Sequence, residues 1–149
     1  MKYEERSMME FRRIIHRGMN CIDVGAYKGE YSKLFKQCSQ TGKIIAFEPQ
    51  EKFISKLKQN KEIVCYPIGL SNKIVVARLY TGKYSSSQSG IIKQRFVSNE
   101  YKLINISTLD NEIKIPISIL KVDVEGNEEK VIEGGEKLIR KYKPLIMLE

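Results

Sequence analysis

The chain has 149 residues, 42% hydrophobic and 30% charged, a globular balance with enough length for one domain and a core that needs no metal or disulfide. Its 26 basic and 18 acidic residues give a net charge of +8, spread along the whole sequence, which reads as a solvated surface and not as a nucleic-acid footprint. No apolar run approaches the roughly 18–20 residues of a membrane span, no secretory apolar region follows Met1, and Cys21, Cys38 and Cys65 match no zinc or CxxC spacing, so a cytoplasmic protein with reduced thiols is expected.

Residues 4–17 carry Met8, Phe11, Ile14 and Ile15 at helical spacing and stop at Gly18. Residues 21–24 read as a short strand ended by Gly25. Residues 30–38 place Tyr31, Leu34 and Phe35 on one helical face. Residues 43–47 form a second apolar strand closed by Pro49, and Phe53, Ile54 and Leu57 mark the helix after it. A third strand covers residues 63–66. This alternation predicts an α/β fold with a parallel sheet and right-handed crossovers.

The pattern then changes. Residues 74–80 read as a strand, 82–90 as a polar loop and 103–108 as another strand, so 74–108 is expected to be an antiparallel elaboration. Residues 117–124 form a near-continuous apolar strand interrupted by Lys121 and Asp123. Residues 127–141 are predicted helical, weakened by Gly134 and Gly135, and 145–148 form a last buried strand. One domain over 1–149 is expected, with a helix in 1–18 and the sheet in 20–149.

Three segments carry chemistry. In Asp23-Val24-Gly25-Ala26-Tyr27-Lys28-Gly29-Glu30, Gly25 permits a tight turn and Gly29 lets a ligand approach a helix N-terminus, while Asp23 can accept from an ammonium or hydroxyl. Glu48 follows Gly25 by roughly the 20 residues at which an acid grips a ribose diol in doubly wound folds. The G-x-G-x-x-G fingerprint is absent, which disfavours a nicotinamide cofactor. In the third segment, Lys121, Asp123 and Glu125 alternate with Leu120, Val122 and Val124, so strand geometry puts the three charges on one face at the sheet's C-terminal mouth. A structural Lys–Asp pair with Glu125 capping a helix is the competing reading of that segment.

The runs CIDVGAYKGEYS, IAFEP, ILKVDVEGNEEKVIEGG and PLIMLE, in this order, resemble the FkbM-type S-adenosylmethionine-dependent methyltransferases. The resemblance implies a Rossmann-like class I methyltransferase sheet, here lacking the final strand pair. It implies that Asp23, Gly25, Ala26 and Gly29, with Tyr27 in the same loop, line the methionine half of S-adenosylmethionine. Glu48 would hold the ribose hydroxyls with Pro49 beside it, Gly69 and Leu70 would flank the adenine, and Asp123 would lie near the sulfonium. No metal is implied. The implied reaction is methyl transfer to a hydroxyl of a sugar or other small natural product, with Asp123 or Glu125 as base and Lys121 orienting Asp123. His16 is expected on the surface.

Two other readings are open. An RNA 2′-O-methyltransferase fits the charge and the Lys121/Asp123 pair, but no aromatic-plus-basic stripe is visible, so nucleic acid is the less expected partner. A truncated, non-catalytic binding module fits the absent strand pair. The open apolar edge at 145–148 predicts a homodimer or a somewhat unstable monomer, and the serine-rich segment 84–89 is a candidate acceptor wall.

Overall fold

The computed structural model describes residues 3–82 and 97–149. The elements are α1 (Tyr3–Ile14), β1 (Cys21–Val24), α2 (Glu30–Ser39), β2 (Ile44–Phe47), α3 (Glu51–Leu57), β3 (Ile63–Tyr66), β4 (Gly69–Leu70), β5 (Val75–Gly82), β6 (Val97–Ser107), α4 (Leu109–Glu112), β7 (Ile119–Val122), α5 (Glu128–Glu133), α6 (Glu136–Tyr142) and β8 (Leu145–Leu148). The candidate acceptor wall at 84–89 lies outside the described residues.

Five strands form a parallel sheet in the order β3-β2-β1-β7-β8. Strand alternation explains its two cores. Cys21, Ile44, Ala46, Ile63 and Ile119 point to one face, where Phe11 and Ile15 from the α1 side and Tyr31, Leu34 and Phe35 of α2 cover them. Ile22, Val24, Ile45, Phe47, Leu120 and Val122 point to the other, against Leu109, Val131 and Leu138 of α4, α5 and α6. The inner strands β1, β2 and β7 are buried on both faces and read as continuous apolar runs, whereas the edge strands β3 and β8 are partly exposed, so the last strand is not the buried one expected from its apolar residues.

The segment after β3 is a second sheet in the order β4-β6-β5. The expected antiparallel pairing holds between β5 and β6. The sheet is mixed, however, because the two-residue β4 joins β6 in parallel. Further differences are local. The first helix ends at Ile14. The single helix expected over 127–141 is two, broken at Gly134 and Gly135, where a Cβ would strike the Ser71 carbonyl and the Leu109 side chain. β7 stops at Val122, so Asp123 and Glu125 lie beyond the strand.

Candidate active site

The strand order reverses direction between β1 and β7: the chain goes from β1 to β2 on one side and returns to β7 on the other. Ligands of open α/β sheets bind at the C-terminal ends of strands at such a switch point. A cavity of about 360 Å³ lies there. Gly25, Ala26, Tyr27, Glu48, Lys121, Asp123 and Glu125 line it, seven of the residues singled out from sequence. Glu30, Tyr31, Gln50 and Glu149 complete it.

Gly25 sits at φ +76°, and a Cβ there would run into the Asp123 carbonyl. The turn after β1 therefore requires glycine both for its left-handed backbone and for the close approach of the chain beyond β7. Tyr27 and Glu125 adopt left-handed backbone as well, at φ 50° and 55°, without being glycine. Such strain costs about 1–2 kcal/mol per residue and collects at functional sites.

Glu48 follows β2 and is only 3% exposed. Its Oε2 accepts from the Tyr27 N–H at 2.9 Å and its Oε1 from the Gln50 N–H at 2.7 Å. A carboxylate offers about four acceptor sites, so two remain after these bonds. Burial raises the Glu48 pKa above the ordinary value, and the two backbone N–H groups offset this in part.

Lys121 and Asp23 face each other directly across the β1–β7 register. Both side chains are buried, Asp23 at 0% and Lys121 at 3% exposure. The Lys121 ammonium lies 3.6 Å from Asp23 Oδ1 and 3.4 Å from Asp123 Oδ2, and over the Tyr31 ring at 4.7 Å. Ser32 of α2 donates to Asp23 Oδ2 at 2.6 Å. Burial alone would lower the Lys121 pKa; Asp23, Asp123 and Glu149 outweigh it and hold it above the ordinary lysine value. Lys121 therefore stays charged at neutral pH and cannot serve as a base.

The remaining expected residues fall into place differently. Asp23 lies beneath the cavity, engaged by Ser32 and Lys121, and not on its wall. Gly29, at φ +82°, is not part of the cavity wall, and a Cβ there would strike the Leu57 side chain. Pro49, Gly69 and Leu70 line a second, apolar cleft with Val24, Gly25, Phe47, Ile68 and Val124. Gly25 belongs to both hollows. The N-cap residue of α5, Asn127, makes no capping bond with its side chain. Glu128, the first residue of α5, ties down the preceding turn, its Oε1 accepting from the N–H groups of Val124 and Gly126 at 3.0 Å.

Sequence reasoning missed Gln50, Glu30, Tyr31, Ser32 and Asn127. Asn127 is 2% exposed and its amide donates to the Leu70 carbonyl at 3.0 Å, tying the apolar cleft to the start of α5. The signal for Asn127 was present in its position after the Asp123-Val124-Glu125-Gly126 turn, where Asn serves turns and caps. His16 is exposed, and the cysteines form no disulfide. Burial, with Cys38 nearby, pushes the Cys21 thiol up to about 12, which leaves it inert. No group of metal-binding side chains occurs among the described residues, and no helix among them is long and apolar enough to cross a membrane.

Comparison with known proteins follows the same lines. The sequence profile of a family described as Methyltransferase FkbM domain matches residues 23–149. A methyltransferase FkbM from Methylobacillus flagellatus KT shares the fold at a TM-score of 0.66 and 17% identity, over 88% of this chain and 32% of that one. This chain thus spans about a third of that protein. An rRNA methylase from Streptococcus thermophilus superposes at a TM-score of 0.59 and 14% identity, over 99% of this chain and 72% of that one. Curated proteins give no match.

Proposed function

The chain belongs to the FkbM methyltransferase family, and from that premise we propose that it acts as an S-adenosylmethionine-dependent O-methyltransferase on a hydroxyl of a sugar or other small natural product. The observation that carries the reading is Glu48: a buried carboxylate at the cavity wall, fixed by Tyr27 and Gln50, with acceptor capacity left for the two hydroxyls of a ribose. The donor set fits the cofactor in charge as well. Glu30, Glu48, Asp123, Glu125 and Glu149 surround the cavity against Lys121 alone, which favours a ligand carrying ammonium and sulfonium charges.

In this reading Glu48 holds the ribose, and the Gly25–Tyr27 turn faces the methionine half. The apolar cleft of Pro49, Ile68, Gly69 and Leu70 takes the flat base. When bound, the cofactor supplies a methyl group already activated on a sulfonium, so the protein's task is alignment. Asp123, its side chain 34% exposed beside the cavity, accepts the proton of the acceptor hydroxyl. Lys121 is a positioning residue. Its ammonium holds Asp123 from below and is itself anchored by Asp23.

Thermal melting tests this with S-adenosylmethionine, S-adenosylhomocysteine and NAD in separate large excess. A ligand at about 100 times its Kd adds roughly 2.7 kcal/mol. At this chain length that raises the Tm by several degrees. The expected result is a shift with the first two ligands only, largely lost in Glu48→Gln. No shift with either, or a full shift in the variant, would overturn the reading.

A hydroxyl on RNA is the second reading. The net charge of +8 and the fold shared with an rRNA methylase favour it, so nucleic acid is not set aside as a partner. Tight binding of an RNA oligonucleotide that weakens steeply with salt would select it.

A further inference from the structure

Beside the acidic cavity lies a second, open hollow of about 780 Å³ between α2 and the end of α3. Lys28, Lys33, Lys56 and Lys61 line it with Gln59, Asn60 and Glu30. Glu30 also lines the acidic cavity, so the two spaces adjoin at this residue. All four lysines are exposed, and none forms an ion pair with a described residue, whereas nearby Lys36 is paired with Glu62 at 3.1 Å. Four cations against one carboxylate is far from the 26 to 18 balance of the chain, and the opposite of the cavity next door.

We propose that this groove holds the di- or oligophosphate of a small acceptor whose hydroxyl enters the adjoining cavity. The inference rests on the methyltransferase reading and names the acceptor class for it. The cavity's carboxylates repel a phosphate, so a phosphorylated acceptor is accommodated only if its anionic part stays outside them. The groove supplies that place. Four mobile lysine ammonium groups suit several phosphate oxygens, with Gln59 and Asn60 as neutral donors. No aromatic side chain lines the groove, so an RNA strand would find no surface on which to stack its bases.

The test is calorimetric titration of the full chain with tripolyphosphate at low salt, S-adenosylhomocysteine present. Two charge-matched variants are compared: Lys33→Glu/Lys56→Glu in the groove, and Lys43→Glu/Lys73→Glu at exposed positions outside it. The expected result is saturable binding, weakened about tenfold or more by the groove pair and left within about twofold by the distant pair. Equal weakening by both pairs would reduce the effect to net charge and overturn the proposal. So would absence of saturable binding, or displacement of tripolyphosphate by a single-stranded RNA oligonucleotide at lower concentration. Melting of the groove variant with S-adenosylhomocysteine separates the two claims. A retained shift beside lost tripolyphosphate binding supports both. A missing shift in the parent protein overturns the cofactor reading, whatever the groove binds.

Discussion

The Glu48 carboxyl holds its proton more tightly in the fold than in the open chain, because burial penalises the charged form. A raised folded-state pKa means that the group's contribution to stability is present below the ordinary value of 4.5 and is lost as pH rises through the folded value. The stability of the ligand-free protein relative to Glu48→Gln should therefore decline as pH rises from below 4.5 toward neutrality, read from urea midpoints. A difference that does not change with pH would contradict the assignment. Lys121 obeys the same sign at the other end of the scale: its stabilising contribution is full below 10.5 and fades in more alkaline solution. Removing it leaves the Asp23 carboxylate buried without a cation. Lys121→Met is expected to cost about 3–5 kcal/mol of unfolding free energy. Adding Asp23→Asn to that variant should recover much of the loss, and equal stability of the single and double variants would show that the pair is not the reason. Lys121 and Asp123 stood out in the sequence because charges interrupt an apolar strand. The bond between Lys121 and Asp23 did not, since it depends on which residues of β1 and β7 stand opposite each other.

The short C-terminal helices are fixed by caps from elsewhere in the chain. Gly135, at the N-terminal end of α6, has no side chain to cap the helix. Asp110 of α4 does it instead: its Oδ1 accepts from the Leu138 N–H at 2.8 Å and its Oδ2 from the Lys137 N–H at 3.2 Å. Thr108 caps α4 in turn, accepting from the Asn111 N–H at 3.1 Å. Asp110→Ala should lower stability by about 1 kcal/mol, the usual cost of a lost N-cap, measured by chemical denaturation. No measurable loss would mean that the cap is replaced by water. Elements built on one dense apolar run, such as β1, β2 and β3, were legible in the sequence to within a residue. β4 was not, because two residues carry no period. The break between α5 and α6 was signalled by Gly134 and Gly135, but its cause is tertiary: the Ser71 backbone and Leu109 occupy the space a side chain would need.

The two sheets differ in how much holds them. Two large clusters pack on the two faces of the parallel sheet, whereas among the described residues the buried core of the second comprises Leu79, Ile104 and Ile106, with Ala77 against it. Val76 and Leu103 on that sheet are more than half exposed. Amides of β1, β2 and β7 should exchange with solvent only on global unfolding, while those of Val75–Tyr80 exchange through a cheaper local opening. Native-state hydrogen exchange reads this directly, and equal protection of both sheets would refute it. The alternation of strands and helices made the parallel sheet legible from sequence, and with it the place of the site at the strands' C-terminal ends. In the long return from β3 to β7 the antiparallel pair was legible, but the parallel join of β4 was not, since it rests on two residues paired to a strand far along the chain. That return has a consequence for assembly. β7 must find β1 across the whole segment from α2 to α4, and its apolar residues alone would tolerate several alignments. Shifting β7 by one residue would set Leu120 or Val122 opposite Asp23 and turn Lys121 to the other face of the sheet. The buried carboxylate would then be stranded, at a cost comparable to much of the fold's stability. The Asp23–Lys121 contact thus works as a proofreading device, favouring the alignment in which the cavity at the strands' C-terminal ends exists.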